Sequence, residues 1–106
     1  MTNKHSEKIK KMELILPPAP KPAGVYRPTL VIDSFLYVSG QGPVNKDGTY
    51  IIGKVGSDLN KEEAKKAARQ VGLTMLSTII SHYGNIDNIK REVKVFGMVN
   101  STSEFE

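Results

Sequence analysis

A short polar turn after a stretch of apolar residues carries the groups best suited to bind a small ligand. Residues 36–38 are strand formers, and Ser39-Gly40-Gln41-Gly42 follows them and ends the strand. The serine hydroxyl and the glutamine amide both donate and accept hydrogen bonds, and glycine lets a ligand approach closely. This turn is a candidate floor for a polar pocket. Its spacing alone favours the simpler interpretation that the two glycines only make the turn.

The residue types and their spacing do not predict a metal site, a nucleophilic serine or a pair of catalytic carboxylates. The chain has no cysteine, and His5 and His82 have no second ligand at a helical or hairpin spacing, so we expect neither a metal nor a cofactor. Ser39 has no histidine near it and does not lie in a nucleophile elbow. Glu62 and Glu63 are adjacent, and adjacent side chains on a helix do not face each other. These patterns assign no catalytic residue.

Composition places the chain among globular proteins of one domain. It has 106 residues, 39% of them apolar and 25% charged, and no apolar stretch has the length of a signal peptide or transmembrane helix. We therefore expect a cytoplasmic protein that does not contact a membrane. The net charge is +4, but five of the fifteen basic residues, against two acidic ones, lie in the first 21 positions. The lysines are not interleaved with aromatic residues, so nucleic acid is only an alternative partner.

The first part of the chain is predicted to lead into the folded domain. Ser6 is a candidate N-cap for a short helix that includes Ile9 and Met12. Residues 16–22 include four prolines and are predicted to be an extended spacer. We divide the chain into a tail and proline-rich lead-in, residues 1–23, and an α+β domain, residues 24–106.

Alternating apolar residues predict a mainly antiparallel sheet of about four strands. The predicted strands are residues 25–32, 35–39, 50–52 and 89–99. The first two form a hairpin with its turn at Asp33 and Ser34, and a turn at residues 45–48 precedes the third.

One long helix separates the third and fourth strands. Asn60 and Glu63 form a capping box at its start, and Gly84 ends it. Its apolar side chains form a narrow stripe that Leu73 and Ile80, with their neighbours on the same side, widen to an arc of about 200°, which is wider than one sheet face can cover. The helix therefore needs a further partner surface, which predicts self-association.

Five motifs, in order along residues 16–105, resemble the Rid (YjgF-type) family and more closely its subgroup with a proline-rich lead-in. They are Leu-Pro-Pro-Ala-Pro-Lys-Pro-Ala-Gly-Val-Tyr from residue 16, Leu-Tyr-Val-Ser-Gly-Gln-Gly-Pro from 36, Gly-Lys-Val-Gly-Ser-Asp-Leu from 53, Ala-Ala-Arg-Gln-Val-Gly-Leu from 67 and Val-Lys-Val-Phe-Gly-Met-Val-Asn from 93. The resemblance implies a chorismate-mutase-like α+β fold, in which a long helix packs on one face of a mainly antiparallel sheet. It also implies a homotrimer with pockets between subunits.

The resemblance further implies an activity and a set of substrate-binding residues. Family members hydrolyse reactive enamines and imines such as 2-aminoacrylate, which carry a carboxylate, to the keto acid and ammonia. Some members have been described as endoribonucleases or translation inhibitors. Tyr26 matches the tyrosine that lines the family pocket, and Ser39 and Gly40 match the serine and glycine of its floor. Gln41 is added as their neighbour.

The chain departs from the family pattern at its end. The pattern continues into a second helix and two strands, which include the arginine that grips the substrate carboxylate. Arg27, Arg69 and Arg91 do not match that position. We therefore expect a piece of a longer protein, without its C-terminal third. The sequence leaves open whether the whole protein is a deaminase, an RNA-binding ribonuclease or a non-catalytic ligand-binding module.

Overall fold

The computed structural model describes residues 4–22 and 24–105 as an α+β arrangement, which confirms the predicted class. The elements in chain order are α1 (His5–Lys11), β1 (Thr29–Ile32), β2 (Phe35–Val38), α2 (Lys61–His82) and a 3-10 turn (Ile86–Asn88). Helix α2 packs against β1 and so lies across the hairpin that β1 and β2 form.

The predicted hairpin is present, although its first strand is shorter than predicted. Strands β1 and β2 are antiparallel, with Thr29 opposite Val38 and Ile32 opposite Phe35. Asp33 takes a φ of 53°, a left-handed conformation that a short aspartate side chain tolerates in a tight turn. Residues 25–28 lie outside β1 and instead approach the end of β2, where Ser39 N donates to the carbonyl of Pro28 over 2.9 Å.

Both ends of α2 lie where the sequence predicts them. The Asn60 side chain accepts from the backbone N–H of Glu63 over 2.8 Å, and the Glu63 side chain accepts from the backbone N–H of Asn60 over 3.0 Å. This reciprocal pair satisfies two of the donors that a helix start leaves open. At the other end, the N–H of Gly84 donates to the carbonyl of Ile79 over 3.0 Å.

The prediction of a third and a fourth strand is wrong: neither strand forms among the described residues. Tyr50 forms an isolated bridge with Val44, and residues 89–100 belong to no strand. The apolar side chains of this last segment, Val93, Val95, Phe96, Met98 and Val99, are between 64% and 86% exposed. Alternation defines the two faces of an extended segment but does not supply a neighbour to pair with it, and no described strand lies beside this one.

The short helix of the tail is present, but Ser6 is not its N-cap. The N-cap is Lys4, without a side-chain bond. Ser6 lies in the first turn and binds the Asp87 carboxylate twice, through its backbone N–H over 2.8 Å and its hydroxyl over 2.7 Å. The His5 ring donates from Nε2 to the carbonyl of Ile89. A capping interaction therefore exists, but it comes from a residue 81 positions away.

The buried interior is small and partly polar. Among the described residues, the buried apolar ones are Pro17, Val44, Val55, Ile79 and Ile86. The radius of gyration is 15.0 Å, whereas a compact chain of this length has about 13 Å. Much of the apolar surface therefore faces outward. Among the described residues, neither helix combines the length and apolar character needed to cross a bilayer.

Candidate functional site

A small cavity opens where the proline-rich segment, the start of the hairpin, the turn after β2 and helix α2 meet. Its volume is about 40 Å³, which is room for water-sized groups. The apolar part of its wall comes from three prolines and two tyrosines, Pro20, Pro22, Pro28, Tyr26 and Tyr50. Its remaining lining residues are Lys21, Gly40, Gln41, Gly42 and Thr78. The cavity is thus apolar on its walls and polar where the turn meets the helix.

The proline-rich segment is held on α2 by one buried hydrogen bond. The Ser77 hydroxyl donates to the carbonyl of Pro17 over 2.6 Å, and both residues are buried. Proline fixes φ, so a segment with prolines at positions 17, 18, 20 and 22 has few conformations. Anchoring Pro17 therefore also limits where Lys21 can lie relative to the cavity.

The Gln41 side chain is held at both ends of its amide. Its Oε1 accepts from the Thr78 hydroxyl over 2.9 Å, and its Nε2 donates to the carbonyl of Ser39 over 3.0 Å. A backbone carbonyl only accepts, so this second bond fixes which end of the amide is nitrogen. One Nε2 proton and one Oε1 lone pair remain beyond these two bonds. Gln41 can present them in a fixed direction.

Helix α2 meets the loop after the turn through a row of polar side chains. Thr74 Oγ1 accepts from the N–H of Val44 over 3.1 Å and donates to the carbonyl of Gln70 over 2.9 Å. The Gln70 side-chain amide donates to the Val44 carbonyl over 2.5 Å. Thr74 and Thr78 are 0% and 1% exposed, and the bond between the Val44 N–H and Thr74 is shielded from water. Within the described residues, every buried side-chain nitrogen or oxygen has a partner.

This polar row is not among the residues predicted from the sequence, because the prediction for α2 rests only on its apolar residues. Gln70, Thr74 and Thr78 are spaced by four residues, and residues four apart lie on one face of a helix. Threonine has a lower helix propensity than alanine or leucine. Two threonines at this spacing therefore indicate that this face of α2 contacts polar backbone groups.

Three of the four predicted site residues line the cavity together: Tyr26, Gly40 and Gln41. The hydroxyl of the fourth, Ser39, donates to the carbonyl of Arg27 and so holds the start of the hairpin to its end. The part of all four in substrate binding stays a prediction.

Lys21 is the one charged residue among those that line the cavity. In residues 4–22 and 24–105 the one ion pair joins Lys65 to Glu62, so Lys21 has no carboxylate partner there. Arg69 lies at a separate open groove near residues 45–47. The described residues contain no group of three histidine, cysteine, aspartate or glutamate side chains that could hold a metal.

Comparison with known proteins shows which fold this arrangement belongs to. No family model matches the chain. The protein TCP17 of Trypanosoma cruzi is 34% identical over 97 residues, which are 92% of this chain and 61% of that protein. The crystal structure of a "putative endoribonuclease" of Shewanella oneidensis MR-1 matches 79% of this chain and 56% of its own, with 26% identity and a TM-score of 0.72. The structure of Atu1372 of Agrobacterium tumefaciens, a protein of unknown function, matches 94% of this chain and 61% of its own, with 30% identity and a TM-score of 0.78.

The chain has the Rid (YjgF-type) fold. The fold predicted from the five motifs is thereby confirmed, with the long helix on the antiparallel hairpin as its described part. This Rid-type chain spans between 56% and 61% of the length of the three proteins it matches. The activity, substrate and assembly of the whole protein are therefore matters for proposal.

Proposed function

We propose that the protein containing this Rid-type chain hydrolyses reactive enamines and imines of the 2-aminoacrylate type to the keto acid and ammonia. The observation that supports this most is the meeting of Tyr26, Gly40 and Gln41 at one cavity. The family resemblance nominates these residues for substrate binding. They come from the lead-in to the hairpin and from the turn after it, so the fold and not the sequence spacing brings them together.

The reaction needs polar groups of fixed direction more than it needs a nucleophilic side chain. Protonation of the enamine carbon gives the iminium ion, and water adds to its C=N carbon and loses a proton to give the carbinolamine. A proton then moves from the hydroxyl oxygen to the nitrogen, and the C–N bond breaks to release ammonia and the keto acid. Fixed dipoles stabilise the charge that develops during the addition and cost no reorganisation at that moment. The amide of Gln41, held by Thr78 and by the Ser39 carbonyl, has this character.

A homotrimer would complete the pocket. A cavity of about 40 Å³ in one chain is too small to enclose a substrate with a carboxylate and a double bond. The exposed apolar segment of residues 93–99 and the large radius of gyration leave apolar surface for a second and third copy to cover.

The test is keto-acid release from enzymatically generated 2-aminoacrylate, measured against the spontaneous rate. We expect little acceleration by the 106-residue chain alone and clear acceleration by a longer protein that continues through the remaining family segments. In that longer protein, Tyr26→Phe and Ser39→Ala should lower the rate moderately, whereas replacing the late-strand arginine should abolish it, because a bidentate charged contact is lost. Ser81→Ala, on the exposed part of α2, is the control and should leave the rate unchanged.

Two outcomes would contradict this proposal. A longer protein that does not exceed the spontaneous rate would leave a ribonuclease and a non-catalytic ligand-binding module as the remaining interpretations. Substantial acceleration by the 106-residue chain itself would mean that the catalytic groups are elsewhere in the chain, with Arg27 as the first residue to replace.

A ribonuclease is the second candidate, because one structural neighbour is described as a putative endoribonuclease. Cleavage of RNA by the longer protein should be measured over a series of salt concentrations. Binding that depends only on surface lysines decreases steeply as salt increases. Cleavage that persists at high salt would favour this candidate over the deaminase.

A further inference from the structure

We propose that the small cavity beside the turn after β2 holds one water molecule, and that this water is the nucleophile of the proposed hydrolysis. This inference rests on the proposed function for the reaction itself, and it names the residues that hold the attacking group. Gln41 binds the water. Thr78, which donates to Gln41, is a positioning residue that acts through it.

The size of the cavity suits water and not the substrate. Its volume is about 40 Å³, and a cavity needs about 10–15 Å³ to hold one water molecule. Three prolines and two tyrosines make up the apolar part of its wall, so the turn and α2 supply most of its polar groups. A substrate at the mouth of the cavity, in the pocket that further copies would complete, would meet this water at the polar side.

The polar side of the cavity has hydrogen-bonding groups left over for a water. Gln41 keeps one Nε2 proton and one Oε1 lone pair beyond its bonds to Thr78 and to the Ser39 carbonyl. The backbone N–H groups of Gly40 and Gly42, which also line the cavity, donate to no acceptor among the described residues. A buried water typically makes about three hydrogen bonds. The turn can supply this number.

The direction of the Gln41 amide is set by the fold. Thr78 lies in the long helix and is 1% exposed, so packing holds its hydroxyl in place. The bond from Gln41 Nε2 to the Ser39 carbonyl, over 3.0 Å, holds the other end of the amide. A water bound to an amide that is fixed at both ends is already oriented before the substrate arrives, which lowers the cost of reaching the transition state.

The chemical step needs no ionised side chain in the cavity. The water oxygen forms a bond to the C=N carbon of the iminium ion, and the π electron pair moves to the nitrogen. The oxygen then loses a proton to solvent water, which gives the neutral carbinolamine. A neutral amide does not take up this proton, so the part of Gln41 is to bind and orient the water.

The water can be detected without turnover. Relaxation dispersion of ¹⁷O-labelled water, measured on the 106-residue chain, counts the water molecules that stay bound while the protein tumbles. Gln41→Met, which has a similar shape and no amide, should hold one water fewer than the parent chain. Thr78→Ser keeps the hydroxyl and should keep the water. Gln70→Met is the matched control and should also keep it, because the Gln70 amide bonds to a backbone carbonyl but does not line the cavity.

In the longer protein, the same variants should separate kcat from KM. Gln41→Met should lower kcat about tenfold to a hundredfold, because the attacking water loses its fixed contact. It should change KM by less than about twofold, since the substrate loses no contact of its own. Thr78→Val should lower kcat by a smaller factor, and Thr78→Ser should restore it.

Three results would each overturn the inference: a parent chain that holds no such water, a Gln41→Met variant that keeps it, and a Gln70→Met variant that loses it equally. A Gln41→Met variant with a higher KM and an unchanged kcat would also overturn it, because Gln41 would then contact the substrate. A bound water that depends on Gln41, in a protein whose longer form does not exceed the spontaneous rate, would contradict the proposed hydrolysis and leave the water site in place. The two proposals can thus fail separately.

Discussion

The hydroxyl of Thr78 donates a 2.9 Å hydrogen bond to the side-chain oxygen of Gln41, 37 residues earlier in the chain. Thr78 is 1% exposed, so water does not compete for this bond at its helix end. The bond joins the long helix to the turn that forms the cavity floor. The shape of the cavity therefore depends on the docking of α2, as well as on the local conformation of the turn.

Replacing Thr78 with valine should separate this contact from packing, because the two side chains have nearly the same shape. Gln41 Oε1 would lose its donor, which should lower the free energy of unfolding by about 1–2 kcal/mol. Urea denaturation measures this change. Ser81→Ala, at an exposed position of the same helix, should change it by less than about 0.5 kcal/mol. Equal stabilities of the Thr78→Val variant and the parent chain would show that the bond contributes nothing net.

Gly56 should not tolerate a side chain. Its φ is +101°, and an added Cβ would lie 2.4 Å from Thr102 Oγ1, so Gly56→Ala combines backbone strain with a steric clash. We expect the free energy of unfolding to fall by about 2 kcal/mol.

Gly72 provides the matched control for this substitution. It lies within α2 and is exposed, and an added Cβ would meet no atom within 4 Å. Gly72→Ala should therefore stabilise the chain by about 0.5–1 kcal/mol, because alanine has the higher helix propensity. Thermal unfolding compares the two variants. A Gly56→Ala variant that is as stable as Gly72→Ala would contradict the observed approach of Thr102.

The contact between the tail and Asp87 should depend on pH. The backbone N–H of Ser6, and then its hydroxyl, hold the pKa of Asp87 below its ordinary value of 3.8. Since folding lowers this pKa, the stabilisation is complete above about pH 4 and is lost as the pH falls through the lower folded value. The amide signal of Ser6, followed by NMR during an acid titration, should report this loss.

Asp87→Asn is the control for that titration, because it removes the ionisable group and keeps a side-chain oxygen. The Ser6 signal should then lose its transition. A transition that persists unchanged in Asp87→Asn would assign it to another group.

Self-association should follow from the exposed apolar surface. Ile80 on α2 is 38% exposed, and the apolar side chains of residues 93–99 are exposed further. Multi-angle light scattering at micromolar concentration should show an oligomer, and the family resemblance suggests three subunits. A folded monomer that binds no dye specific for exposed apolar surface would count against this prediction.

The sequence predicts those parts of the fold that local chemistry determines. Asn60 and Glu63 define the start of α2 by themselves, and Asp33 with Ser34 defines the hairpin turn, since each signal lies within four residues. The segment of residues 89–99 shows the opposite case, because pairing depends on a neighbouring strand and not on the segment's own alternation.

The candidate site was predicted only in part for the same reason. Tyr26, Gly40 and Gln41 belong to recognisable sequence motifs, and all three line the cavity. Pro20 and Pro22 belong to the first motif too, but nothing in that motif predicts that they line the cavity, and their place there depends on a bond between Ser77 and Pro17, 60 residues apart. Sequence reasoning identifies the polar groups of the turn but cannot bring a distant segment to them.

The bonds from Ser6 to Asp87 and from His5 to Ile89 also affect the order in which the chain folds during synthesis. His5 and Ser6 are synthesised more than 80 residues before their partners, so α1 stays undocked while the hairpin and the long helix emerge. Closing so long a loop adds an entropic cost that grows only slowly with its length. Among the described elements, α1 is therefore one of the last to reach its native place.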